Sequence, residues 1–174
     1  ALHAFLEHAD FSALAAAKDA GGLEEAILAE RQRQVDRQLV APEIAEKLDV
    51  SRIRRFVEGE AFAKICAADE VLRELAFITA LPAEAVLAAQ GTEGVRAEGE
   101  QVLVQGIADL VLVYPDHLEL LDYKTDRRKT EADFLRAYRA QLNLYALAID
   151  KRFAPKKVTY KGICSLELGK LIEV

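Results

Sequence analysis

The chain has 174 residues, 52% hydrophobic and 30% charged, the balance of an ordinary globular domain large enough to hold a core without staples. No apolar run approaches the roughly 18 residues of a membrane span, and Cys66 and Cys164 are too few for a four-thiolate zinc site or a four-cysteine iron–sulfur cluster, so a reducing, cytoplasmic setting is expected. The net charge of −6 is divided unevenly: residues 1–123 hold 11 Lys and Arg against 23 Asp and Glu, and residues 124–174 hold 12 against 6, so an anionic partner is expected at the C-terminal third.

Leu2, Phe5, Leu6, Ala9 and Ala13 recur at helical spacing, which predicts one helix from Leu2 to Ala17, ended by Gly21-Gly22. A second helix is expected from Leu23 to Leu39, a short one from Pro42, and another behind a Ser51 cap running to Ala67. Val71 to Leu81 alternates with β-branched and aromatic residues and reads as a strand; an Ala-rich segment and a Gly- and Glu-rich loop follow to Glu100. Val102 to Val113 and Leu118 to Lys124 flank a tight turn containing Pro115 and Asp116, a β-hairpin pattern. Glu131 to Ile149 has the spacing of a long helix, and Val158 to Leu166 and Leu171 to Val174 read as strands. The chain opens at Ala1, contains no methionine and starts in helical sequence without a signal-peptide pattern, so a piece excised from a larger protein is expected.

A two-residue turn at Pro115-Asp116 sets Tyr114 against His117 and, by continuation, Asp109 against Asp122. Facing side chains in an antiparallel pair have Cβ atoms about 4.5–5.5 Å apart, and like charges there repel unless something compensates them; a hard divalent cation would do so. Alternation puts Lys124 on the same face, at the end of an apolar strip of Val111, Val113, Leu118 and Leu120. Solvated acids at a strand end are the plainer reading. It is weakest for Asp109, which lies inside the run Ile107 to Val113, where an unpaired carboxylate costs several kcal/mol. On the long helix, Gln141 and Tyr145 are four apart and share a face.

Gly106-Ile107-Ala108-Asp109, Asp122-Tyr123-Lys124-Thr125-Asp126 and Gln141-Leu142-Asn143-Leu144-Tyr145 resemble the GxxD, D-Y-K-T-D and Q-x-x-x-Y motifs of the RecB-type branch of the PD-(D/E)XK nuclease superfamily. Leu2-His3-Ala4-Phe5-Leu6 resembles its N-terminal histidine motif, without the usual preceding glycine, and Arg73-Glu74-Leu75-Ala76-Phe77 its R-E-x-x-F strand. The nuclease domain of AddA-type helicase-nucleases is the nearest likeness. The resemblance implies an α/β fold with a restriction-endonuclease-like core, a mixed β-sheet flanked by helices. It treats residues 1–174 as a single nuclease domain, with a helical portion over 1–67 and a catalytic core over 71–174.

The same resemblance implies roles. Asp109 and Asp122, the backbone carbonyl of Tyr123 and the imidazole of His3 would bind Mg²⁺ or Mn²⁺, and Lys124, Gln141 and Tyr145 would act in catalysis. Glu74 is expected to be structural. The basic residues Arg127, Arg128 and Lys129, with Arg136 and Arg139 on the next helix, are expected to meet DNA phosphates. The implied function is a metal-dependent deoxyribonuclease, an exonuclease in double-strand break repair. Its partners would be DNA, helicase domains in cis and a second helicase-nuclease subunit, in the bacterial cytoplasm at the nucleoid, without an iron–sulfur cluster. The alternatives are a free-standing or CRISPR-associated RecB-like exonuclease, and an inactive nuclease fold kept as a DNA-binding or interaction module.

Overall fold

Helix breakers and caps shape the N-terminal third. The computed structural model describes residues 1–92, 94, 97 and 99–174; Glu93, Val95, Arg96 and Glu98 of the loop expected before Glu100 lie outside the described residues. The single helix expected from Leu2 to Ala17 is two, α1 (Leu2–His8) and α2 (Phe11–Ala20). Asp10 between them is extended, and its carboxylate accepts the Ala13 N–H at 3.0 Å, so a capping side chain outweighs the apolar periodicity. Then come α3 (Leu23–Asp36) and α4 (Pro42–Ala45). The helix expected from Ser51 to Ala67 is also two, α5 (Val50–Val57) and α6 (Glu60–Ala67). Asp49, not Ser51, caps α5: its carboxylate takes both the Arg52 N–H and the Ser51 hydroxyl. Gly59 makes the break between them, since a Cβ there would stand 3.1 Å from the Arg55 carbonyl.

The remaining elements are β1 (Glu70–Pro82), α7 (Ala83–Ala89), β2 (Gln101–Val113), β3 (Leu118–Lys124), α8 (Glu131–Arg152), β4 (Val158–Ser165) and β5 (Lys170–Glu173), with the strands in one sheet in that order. Helix α8 begins at a capping box in which Thr130 and Asp133 satisfy each other's backbone N–H groups. β1, β2 and β3 are antiparallel neighbours. The Leu118 N–H bonds the Lys157 carbonyl and the Leu166 N–H the Lys124 carbonyl, so β4 runs parallel to β3 with α8 as the crossover between them. The sheet is therefore mixed.

The chain divides into two compact units. The first holds Ala1–Ala68, Tyr123–Arg127 and Cys164–Leu171, and its core includes Leu6, Leu14, Ile27, Ile53 and the edge-to-face rings of Phe11, Phe56 and Phe62. Tyr123 joins these rings, 5.6 Å from Phe56. The second holds Asp69–Asp122, Arg128–Ile163 and Ile172–Val174; there Phe134, Leu142, Ala148 and Ile149 of α8 pack on Phe77, Val104, Ala108, Val111, Leu118 and Leu120 of the sheet.

Candidate active site

The turn at the head of the β2–β3 hairpin fixes its register. The Tyr114 N–H bonds the His117 carbonyl across Pro115-Asp116, and the ladder then pairs Val113 with Leu118, Val111 with Leu120 and Leu110 with Leu121. This is the register expected from the sequence as far as Leu110 and Leu121, and Asp109 and Asp122 are the next residues on the two strands. Asp122 is 4% exposed and Asp109 is half-buried. Leu118 and Leu120 belong to the core under α8, so alternation directs Asp122 to the α8 face.

A distortion marks the level of Asp109. Core residues facing α8 are Val104 and Ala108 on one side of it and Val111 and Val113 on the other; on β1 they are Leu72, Leu75 and Phe77. The parity changes once on each strand, at Asp109 and at Glu74. Those two residues also form the step missing from an otherwise continuous β1–β2 ladder, and Glu74 has a left-handed backbone, φ 46°, uncommon for a residue with a side chain. Glu74, expected to be structural, thus lies at the level of Asp109 on the neighbouring strand.

In the sequence Gly106 is only the start of a motif; the structure gives it a reason. A Cβ at Gly106 would lie 2.7 Å from the Tyr145 hydroxyl and 2.8 Å from the Phe77 ring. Tyr145 crosses the strand at that bare backbone, edge-on to Phe77 with ring centres 4.9 Å apart, while Gln141, one turn earlier on α8, is half-buried. The second unit therefore carries Asp109, Asp122, Gln141 and Tyr145.

The first unit carries His3, Tyr123 and Lys124. His3 on α1 presents its ring edge-on to Tyr123, 5.8 Å between centres, and Lys124 follows two residues after Asp122 at the end of β3. Beyond the strand, Arg127 and Arg128 are exposed. Lys129 instead bonds the Tyr138 hydroxyl at 3.2 Å and sits 4.6 Å from the centre of that ring, an intramolecular cation–π contact. Arg136 and Arg139 are exposed and line an open groove between α7 and α8 together with Asn143.

Sequence reasoning passed over Glu30, Arg33 and Gln34 of α3. Glu30 is 7% and Gln34 1% exposed; Gln34 donates to the Phe5 carbonyl of α1, and Glu30 accepts the N–H of Asp10, the cap of α2. The available signal was two polar residues four apart on a helix flanked by buried positions.

The profile of the PD-(D/E)XK nuclease superfamily matches residues 1–170. Among curated proteins the chain is similar to the A subunit of the ATP-dependent helicase/nuclease of Ligilactobacillus salivarius, 36% identical over 140 residues, covering 79% of the chain and 11% of that protein. It is 34% identical over 172 residues to the protein of the same name from Heliobacterium modesticaldum, covering 94% of the chain and 11% of the relative. For Pelotomaculum thermopropionicum the figures are 33% over 172 residues, 97% and 12%. The chain thus spans about a ninth of the length of these relatives.

Proposed function

The chain belongs to the PD-(D/E)XK nuclease superfamily, and from that premise we propose that it is a divalent-metal-dependent deoxyribonuclease. We propose further that it is the nuclease module of a larger ATP-dependent helicase-nuclease acting on DNA ends in repair by recombination. Its likeness to proteins named as one subunit of an ATP-dependent helicase/nuclease supports helicase domains in cis and a second, partner polypeptide. A motor feeding a strand end supports an exonuclease working in the cytoplasm at the nucleoid.

The observation that carries the reading is the hairpin register, which pairs Leu110 with Leu121 and so makes Asp109 and the buried Asp122 the next residues on adjoining strands, at the end of an apolar strip. Two carboxylates there are a donor set of hard oxygens, which fits Mg²⁺ or Mn²⁺. Asp109, Asp122 and the Tyr123 carbonyl would hold the ion, and the His3 imidazole would add a nitrogen that Mn²⁺ accepts more readily than Mg²⁺. When bound, such an ion acts as a Lewis acid on a phosphoryl oxygen and eases ionisation of a bound water.

The chain's own residues do the rest. Lys124, two residues beyond Asp122 on β3, hydrogen-bonds the attacking water and neutralises charge that gathers on the phosphoryl oxygens. Water adds to phosphorus as the bond to the 3′ oxygen breaks; the water gives up a proton to solvent and the 3′ oxygen takes one from solvent, leaving a 5′-phosphate and a 3′-hydroxyl. Gln141 and Tyr145, on one face of α8, orient the phosphodiester, with Tyr145 placed by its seat on Gly106. Arg127 and Arg128 meet phosphates outside the reacting bond, which gives affinity without base readout.

The test is cleavage of single- and double-stranded DNA by the wild type beside Lys124→Ala and Asp122→Ala, in Mg²⁺, Mn²⁺ and chelator. The proposal expects metal-dependent cutting that both substitutions abolish, with Lys124→Ala still binding metal. Undiminished cutting by Asp122→Ala would refute it.

A further inference from the structure

A buried polar network in the first unit has no part in the chemistry above. The Gln34 amide donates to the Phe5 carbonyl at 3.1 Å and to Glu30 Oε1 at 2.8 Å. Arg33 Nη2 donates to the His8 carbonyl at 3.0 Å, and Arg33 Nε to Glu30 Oε2 at 2.6 Å. Glu30 also accepts the N–H of Asp10, the residue that caps α2.

These bonds converge on one object, the C-terminal end of α1. A helix leaves its last four carbonyls unsatisfied, and in α1 (Leu2–His8) two of them, Phe5 and His8, are taken by side chains of α3. Seven residues are too few to hold a helix in water on their own, so the position of α1 depends on its partners. Leu2, Phe5 and Leu6 supply apolar burial, which is non-directional. The hydrogen bonds from Gln34 and Arg33 add direction: they fix both the axial position and the rotation of α1. His3 lies less than one turn from the clamped Phe5 carbonyl, and its ring is placed against Tyr123.

We propose that Glu30, Arg33 and Gln34 form a positioning clamp that sets the His3 imidazole for metal coordination, so that the nitrogen ligand is governed from α3. The proposal rests on the reading of His3 as a ligand. It differs from a purely structural role because it predicts a change at the ion: a slack α1 removes a nitrogen from the coordination sphere while the carboxylates stay in place. Outer groups that orient ligands typically change metal affinity by about 10–100-fold when removed.

The experiment uses the whole chain loaded with Mn²⁺. Its readouts are the ¹⁴N coupling of a bound imidazole by pulsed electron paramagnetic resonance, Mn²⁺ and Mg²⁺ affinity by calorimetry, and hydrogen exchange of the α1 amides. The variants are His3→Ala, Gln34→Leu and Arg33→Ala; the last, at a half-exposed residue, removes the His8 bond together with the ion pair to Glu30. Gln34→Leu and Arg33→Ala should speed exchange in α1, weaken the ¹⁴N coupling, and lower Mn²⁺ affinity more than Mg²⁺ affinity, by up to the loss seen in His3→Ala. Combining either with His3→Ala should add nothing further. A full ¹⁴N coupling in both clamp variants, with His3→Ala lacking it, overturns the clamp and leaves the ligand reading standing. A ¹⁴N coupling that survives His3→Ala overturns the ligand reading, and the clamp falls with it.

Discussion

Gly106 shows how one missing methyl group can hold a site together. Its absent Cβ is the space taken by the Tyr145 hydroxyl and the Phe77 ring, and overpacking of that kind costs about 1–3 kcal/mol. Gly106→Ala should lower stability by that amount and displace Tyr145, with cutting impaired beyond the loss of folded protein; melting and activity unchanged from wild type would show that the packing there yields freely. The two proposed metal-binding carboxylates have the opposite sign. Asp109→Ala should leave the melting temperature in chelator unchanged or raise it, by up to about 1 kcal/mol of relieved repulsion, and a large loss would make the acid structural. At Glu30, burial alone would raise the carboxyl's pKa, but Arg33, Gln34 and the Asp10 N–H outweigh it and hold it below the usual range. A depressed carboxyl contributes stability that is present above its unfolded value, about 4.3, and lost as pH falls through its folded value. Melting temperature should therefore fall below about pH 4 more steeply in the wild type than in Glu30→Gln, and equal slopes would remove Glu30 from the account.

The elements differed in how plainly they could be read. The hairpin, α8 and the terminal strands follow from runs of apolar residues at a single period, so the β2–β3 register from Val113 and Leu118 to Leu110 and Leu121 was legible from Pro115-Asp116 outward, while α8 runs past the expected Ile149 to Arg152. Two helix breaks were not, because the apolar pattern continues through Asp10 and Glu58-Gly59 while the decisive events are a side-chain cap and a close backbone approach. The parity change at Glu74 and Asp109 was equally hidden, since a left-handed residue inside a strand leaves no mark in hydrophobicity. The edge of β1 was also invisible in the sequence. Lys151 and Arg152, in the last turn of α8, donate to the Ala80 and Ala76 carbonyls, each at 2.7 Å, and so occupy part of an edge that could otherwise pair with another chain. Ile78, Leu103 and Ile107 are 64%, 66% and 52% exposed on this strand pair, which makes the protection matter. Replacing Lys151 and Arg152 with alanine should promote self-association, seen by light scattering as mass rising with concentration; a double variant as monodisperse as wild type would mean the edge is protected otherwise.

At the scale of the whole molecule, charge separates the proposed phosphate contacts from the proposed ion ligands. The excess of positive charge after residue 124 follows directly on the proposed catalytic strand, yet its members are not equivalent. Arg127 and Arg128 are exposed, whereas Lys129 is engaged with Tyr138. Arg127→Ala with Arg128→Ala should weaken DNA binding and flatten its salt dependence by about one unit of log–log slope for each phosphate no longer neutralised, with metal affinity unchanged. Lys129→Ala should act mainly through stability. An unchanged slope in the double variant would move the DNA path to the groove carrying Arg136 and Arg139. The proposed catalysis presupposes an ion held by Asp109 and Asp122, and calorimetric titration of Mn²⁺ tests that most directly. The account predicts saturable binding by the wild type and by Lys124→Ala, and none by Asp109→Ala or Asp122→Ala in protein that remains folded; binding that survives both aspartate substitutions would contradict it.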